Sequence, residues 1–132
     1  MNPPSAAVAR LIDVVESGFI DFQLLQELAR DHELDHASLV NQLADYVARA
    51  YASSAMDFDT ADVIVNAAFS VCTSEAFLAA NDRELPEPMF TIYRAFDEGE
   101  YVHPGDLAHE VPEIKYTRPL IEAYVRPVAH DA

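Results

Sequence analysis

Residues 57–80 have the sequence DFDTADVIVNAAFSVCTSEAFLAA, which contains neither proline nor glycine. The first four of these residues include the polar side chains that cap helix starts. Apolar residues then surround the helical axis on almost every side: Val63, Ile64, Val65, Ala67, Ala68, Phe69, Val71 and Cys72. A helix that is apolar all round is normally buried by its neighbours. We therefore predict a central helix from about Asp57 to about Ala80.

Polar residues along this predicted helix are confined to one narrow line. Asp62, Asn66, Ser70 and Thr73 follow one another at steps of four, four and three, which places them on one face. We interpret the line as the thin solvent-facing side of the helix, and the alternative is the wall of a pocket or contact surface. Because Asp62 and Asn66 interrupt the apolar run, no membrane-spanning helix is expected.

Three amphipathic segments precede the central helix. Ser5 is positioned to cap the first, Asp21 to cap the second, and the third covers residues 37–52. Apolar residues recur at helical spacing in each of them. In the third, Asp45 and Arg49 are four residues apart and are expected to pair on the outer face.

The pattern changes after residue 85. Pro88 suits the first turn of a fifth helix, which ends at Gly99. Residues 100–118 show turn signals and no sustained periodicity, and a last helix is expected to open near Pro119. Because 132 residues suit one hydrophobic core, we predict one all-α domain over residues 1–132. It is a bundle of about five to six helices with a long irregular acidic segment before the last one.

The chain carries far more acidic than basic residues. Eight Lys and Arg stand against 23 Asp and Glu, which gives a formal net charge of -15. A field of this sign repels nucleic acid and anionic membranes and speeds the encounter with a basic protein. We therefore expect a basic protein as partner, and neither nucleic acid nor membrane. Solubility alone is the simpler explanation of the same charge.

The first residues and the single cysteine bear on location and redox chemistry. The N-terminal residues lack the basic segment and apolar run of a secretory signal, so a cytoplasmic location is expected. Cys72 cannot form an internal disulfide, and its apolar neighbours indicate a small buried core residue.

Residues 32–36, HELDH, match the H-E-x-x-H zinc signature. In that hypothesis His32 and His36 bind zinc and Glu33 acts as the base of a hydrolase, which requires one continuous helix. Asp35, however, is placed as the N-cap of the third helix, and this cap would break the helix between the two histidines. The position of a third histidine ligand is occupied by Gln42. We therefore interpret the segment as a polar turn between helices.

A second cluster of potential ligands falls in the acidic segment. Its oxygen and imidazole donors could bind a divalent metal or perform acid/base chemistry, but their order does not follow a calcium-binding loop. A solvated acidic loop is the favoured interpretation. The members are Asp97, Glu98, Glu100, His103, Asp106, His109, Glu110 and Glu113.

Signatures of other chemistries are missing from the sequence. It has no G-x-S-x-G elbow, and three glycines in all cannot build a phosphate-binding loop. Lys and Arg are absent from residues 50–82, so no basic patch with interleaved aromatics is present there. We therefore predict no catalytic residue and no cofactor.

Aromatic residues accompany the acidic segment and favour a protein contact. Tyr93 and Phe96 face inward by their spacing, which leaves Tyr101 and Tyr116 as contacts. Buried aromatic anchors supply affinity, and surrounding carboxylates raise the association rate. The predicted partner-binding residues are Asp97, Glu98, Glu100, Tyr101, Asp106, Glu110, Glu113 and Tyr116.

Residues 94–101, RAFDEGEY, and residues 115–119, KYTRP, look like segments of an uncharacterised bacterial family. Together with the size, the charge and the lack of a catalytic motif, they give the chain a resemblance to bacterial polymorphic-toxin immunity proteins. The resemblance implies stoichiometric occlusion of a basic, nuclease-like toxin by the carboxylates of residues 97–113. A DNA-mimic inhibitor of a nucleic-acid-binding protein is the alternative, and a zinc hydrolase of the H-E-x-x-H type is the second alternative.

Overall fold

The computed structural model describes residues 2–126, and every regular element in that range is helical. Seven α-helices follow one another along it: α1 (Ala6–Ser17), α2 (Phe22–Asp31), α3 (His36–Ala52), α4 (Phe58–Cys72), α5 (Glu75–Ala80), α6 (Met89–Glu98) and α7 (Arg118–Val125). A π-helical turn, Glu113–Thr117, leads directly into α7. The all-α prediction is therefore confirmed for the described residues. No helix among them is long and apolar enough to cross a membrane.

Side-chain caps fix the starts of the first five helices. Each cap accepts a hydrogen bond from the backbone N–H three residues further on, which satisfies one of the donors that a helix start leaves free. The predicted caps at Ser5, Asp21 and Asp35 are confirmed. The five caps and their distances are Ser5 to Val8 at 3.3 Å, Asp21 to Leu24 at 2.8 Å, Asp35 to Ser38 at 2.6 Å, Asp57 to Thr60 at 2.8 Å and Ser74 to Phe77 at 3.2 Å.

The hydrophobic core is organised around α3. This helix packs against α1, α2, α4, α6 and α7, and one cluster of buried apolar residues draws members from all seven α-helices. The expected pair on its outer face is present, with Arg49 Nε 3.1 Å from the Asp45 carboxylate. The prediction that α4 is the central helix is wrong, because Val63 on its outer side remains 57% exposed.

The predicted helix over residues 57–80 is two helices, because it breaks at Thr73 and Ser74. The N–H of Thr73 bonds back to Phe69 and closes α4. The hydroxyl of Ser74 donates to the Val71 carbonyl at 2.7 Å and accepts the N–H of Phe77. One side chain therefore ends α4 and starts α5.

The acidic segment before the last helix is shorter than predicted. Residues 99–111 form turns and extended links, whereas Glu113–Thr117 are π-helical, so an irregular stretch extending to Arg118 is not confirmed. The last helix begins at Arg118, one residue before the predicted position. Ile121 is fully buried, whereas Leu120 is 48% exposed.

Candidate functional site

The H-E-x-x-H segment does not form one helix. α2 ends at Asp31, His32 is its C-cap, and Asp35 caps α3, so the predicted break between the histidines is confirmed. The His36 ring packs against Phe22, with ring centroids 4.9 Å apart. The geometry of a zinc hydrolase site is therefore absent from residues 32–36. In residues 2–126 no group of three His, Cys, Asp or Glu side chains is arranged to hold a metal ion.

Cys72 lies in the core, as predicted. Its side chain is fully buried at the C-terminal end of α4, and burial raises the pKa of its thiol to about 12. A thiol with so high a pKa carries almost no thiolate at neutral pH, so it is a packing residue rather than a nucleophile.

The acidic segment is attached to the C-terminal end of α6. The last four carbonyls of an α-helix lack partners within the helix, and here all four are satisfied by the residues that follow. The segment therefore caps α6 and is held against it. The four contacts are Ala95 with the Thr117 hydroxyl at 2.7 Å, Phe96 with the Gly99 N–H at 3.1 Å, Asp97 with the Glu100 N–H at 3.1 Å, and Glu98 with His103 Nε2 at 2.7 Å.

Asp106 is the centre of a hydrogen-bond network inside the segment. Its carboxylate accepts from Lys115 Nζ at 2.7 Å, from the Tyr116 hydroxyl at 2.6 Å and from the His103 N–H at 2.9 Å. These donors hold the pKa of Asp106 far below its ordinary value. Lys115 also lies 3.0 Å from Glu110, so its single positive charge offsets one of the two negative charges of Asp106 and Glu110.

Glu113 ties the π-helical turn to the core. It accepts a hydrogen bond from the Tyr51 hydroxyl of α3 at 2.7 Å and lies 3.6 Å from Arg118. Burial, followed by this contact, raises the pKa of Tyr51. Three of the predicted contact carboxylates, Asp106, Glu110 and Glu113, thus form part of the fold's own polar network.

A second group of carboxylates has no cationic partner. We call Asp62 of α4, Asp97 of α6 and Glu100 the carboxylate cluster, and no Lys or Arg of residues 2–126 forms a salt bridge with it. Asn66 donates to Glu100 at 2.8 Å. Burial, together with Glu100, raises the pKa of Asp62 to about 8, and burial and Glu100 also raise that of Asp97.

The carboxylate cluster decides between the two interpretations of the polar line on α4. Asp62 and Asn66 are partly buried against the acidic segment and form a contact wall, whereas Ser70 and Thr73 are exposed to solvent. Asp62 is not among the site residues predicted from the sequence. The sequence feature that indicates its position is Asn66, which lies four residues after Asp62 and therefore on the same face of the helix.

Three rings stack beside the carboxylate cluster. The His103 ring lies between Tyr101, at a centroid distance of 4.2 Å, and Tyr116, at 4.0 Å, and we call these three residues the ring stack. His103 Nε2 is also 3.1 Å from the Glu98 carboxylate. Tyr101 is 48% exposed, and partial burial, followed by the charges of Glu98 and Asp97, raises the pKa of its hydroxyl. The predicted contacts Tyr101, Tyr116 and Glu98 are therefore brought together by His103.

An open groove of about 380 Å³ lies between α6 and α7. Apolar atoms of Ile92, Ala95, Leu120 and Ile121 and the rings of Tyr116 and Tyr124 line it, together with Thr91, Arg94 and Glu98. Tyr116 belongs to both the groove and the ring stack, so the two features form one surface.

Exposed apolar side chains concentrate in the same part of the chain. Among the described residues, eight large apolar side chains are about half exposed or more, and only Phe19 and Val63 of these lie outside residues 101–120. This concentration was not predicted from the sequence, because the residues follow no helical or strand period. The six are Tyr101, Val102, Leu107, Val111, Ile114 and Leu120.

Comparison with known protein families, with curated proteins and with solved structures gives no significant match.

Proposed function

We propose that this chain is a non-catalytic protein that binds and occludes a basic partner protein. One observation carries the proposal: carboxylates without Lys or Arg partners among the described residues lie beside the exposed ring of Tyr101, in the part of the chain where exposed apolar side chains are concentrated. Interfaces commonly combine apolar anchors with charged residues around them. Burial of the anchors gives affinity, and complementary charge raises the association rate and the specificity.

The binding surface is narrower than the sequence predicted. Asp106, Glu110 and Glu113 are engaged inside the chain, so the charge that meets the partner comes from Asp97, Glu98 and Glu100. Asp62 adds little charge at neutral pH, because burial and Glu100 raise its pKa to about 8. Tyr101 supplies an exposed ring next to them. A Lys or Arg of the partner would be attracted by this group, and the net charge of -15 would steer the encounter from a distance.

The partner class that suits this surface is a basic protein such as a nuclease-like toxin, neutralised in the cytoplasm by stoichiometric occlusion. The resemblance to bacterial immunity proteins supports this class. A DNA mimic is less well supported, because it needs several free carboxylates at phosphate-like spacing, and five of the six carboxylates of residues 97–113 form contacts within the chain.

The test compares two pairs of neutral substitutions with the same change in net charge. Asp97→Asn with Glu100→Gln removes charge from the proposed surface, and Asp13→Asn with Glu16→Gln removes it from exposed positions on α1. Association rates would be measured at low and high salt with the basic protein that co-purifies from the native cell. The first pair should slow association about tenfold at low salt, with a weaker effect at high salt.

The α1 pair serves as the control for total charge. It should slow association by no more than about twofold, because its charges lie outside the proposed contact. Equal slowing by both pairs would show that only net charge matters. An unchanged rate in the Asp97 and Glu100 variant would remove the surface from consideration.

A further inference from the structure

The groove between α6 and α7 is held open by hydrogen bonds of its own tyrosines. The Tyr116 hydroxyl donates to Asp106 at 2.6 Å, and the Tyr124 hydroxyl donates to Asp45 at 2.7 Å. Both hydroxyls are thereby occupied, and their rings are fixed as walls of the groove. A groove that is ordered before binding loses little side-chain entropy when it is filled.

The groove has one acidic end. Glu98 lines it at the C-terminal end of α6, where the helix dipole adds partial negative charge and the carboxylate cluster lies close by. Arg94 also lines the groove, but its guanidinium makes a cation–π contact with the Phe90 ring, with 5.8 Å between Cζ and the ring centroid. The acidic end is therefore the place where a partner's cation is favoured.

We propose that this groove receives one large apolar side chain of the basic partner, and that a Lys or Arg beside that side chain pairs with Glu98. This inference rests on the proposed function and names the partner's chemistry. The volume of about 380 Å³ is at the lower end of the range for binding pockets, which suits a single anchor. A second copy of this chain is disfavoured as the occupant because it would bring a further charge of -15 against the first.

Leu120 separates apolar insertion from simple charge attraction. It is 48% exposed in the wall of the groove, so substitution is compatible with the fold. Leu120→Glu adds a negative charge, which strengthens attraction to a basic probe, yet it removes the apolar contact. If an anchor enters the groove, Leu120→Glu weakens binding about 10- to 100-fold, as expected for loss of a buried apolar contact. If charge alone acts, the affinity rises or stays the same.

The experiment uses two labelled peptides as probes, KRKLFKRK and KRKSSKRK, in fluorescence anisotropy at low salt. Wild-type protein should bind the first at least tenfold more tightly than the second. This preference should be lost in Leu120→Glu, reduced in Leu120→Ala, and kept in the control Phe19→Glu, which adds the same charge to a side chain that is 75% exposed between α1 and α2. Far-UV circular dichroism verifies the fold of each variant.

The outcomes separate the groove from the proposed function. Equal binding of both peptides to wild type would overturn the proposal that an apolar side chain enters the groove. It would remain compatible with a contact based on charge alone. Failure of both peptides to bind would count against the basic partner itself. Sedimentation that shows a dimer dissociated by Leu120→Glu would make a second copy the occupant and would also overturn the inference.

Discussion

Replacing Gly99 with alanine should destabilise the fold, although its backbone suits any residue. Gly99 has φ -87° and ψ 0°, and at such a position alanine would normally stabilise by about 0.4–1 kcal/mol because it restricts the unfolded chain. Here a Cβ would overlap the Thr117 hydroxyl and lie 3.0 Å from Thr117 Cβ and 3.2 Å from Glu113 Cα. Overpacking of this kind costs about 1–3 kcal/mol. The net effect is a loss of roughly 0.5–2 kcal/mol.

A second substitution identifies the cause of the loss. Thr117→Ala removes the hydrogen bond to the Ala95 carbonyl, about 0.5–1.5 kcal/mol, and one buried methyl group, about 0.8 kcal/mol. It also removes the Thr117 hydroxyl, which is the closest of the atoms that the new Cβ of Gly99→Ala would meet. The double variant should therefore be more stable than the sum of the single effects predicts, by about 1–2 kcal/mol.

Urea unfolding followed by far-UV circular dichroism gives the free energies for this cycle. Thr117→Ser serves as a matched control, because it keeps the hydroxyl and loses only the methyl group, so its coupling with Gly99→Ala should be smaller. The reasoning is refuted if Gly99→Ala is as stable as wild type or more stable. Strict additivity of the Gly99 and Thr117 substitutions would refute it as well.

Two further predictions concern titrating groups. Because the pKa of Asp62 is about 8 in the fold and near 4 in an unfolded chain, the folded state binds more protons between these pH values. The free energy of unfolding should therefore fall as pH rises from about 4 to about 8, and Asp62→Asn should flatten this slope in urea titrations; an unchanged slope contradicts the assignment. Cys72 should react with Ellman's reagent only after denaturation, since burial raises the pKa of its thiol; fast reaction of the native protein would show that the thiol is accessible.

Helix starts were predictable because their causes are local. Ser5, Asp21 and Asp35 each bind a backbone N–H only three residues away, so the residue type and the apolar pattern that follows are sufficient. The same reasoning separated His32 from His36. The break at Ser74 was missed because no glycine or proline marks it. The Ser74 hydroxyl bonds to nearby backbone groups, and such bonds compete with a continuous helix.

The candidate site was predictable only in part, because its chemistry depends on which charges meet in three dimensions. The sequence placed Tyr101, Tyr116 and the carboxylates in one segment, and the structure brings Tyr101, Tyr116 and Glu98 together around His103. It could not show that Lys115 reaches back to Asp106, since that contact depends on the intervening turns. Nor could a local pattern place Asp62 beside Glu100 from another helix.

The capping of α6 by groups spread between Gly99 and Thr117 has a consequence for cooperativity. Two of the last four carbonyls of α6 are bonded by Gly99 and Glu100 directly after the helix, and the other two depend on His103 and Thr117 further along the chain. Opening of the segment would leave carbonyls at the end of α6 without partners. The backbone amides of the segment and of the end of α6 should therefore show the same protection from hydrogen exchange. The proposed binding surface and the end of α6 that supports it therefore share a single local stability.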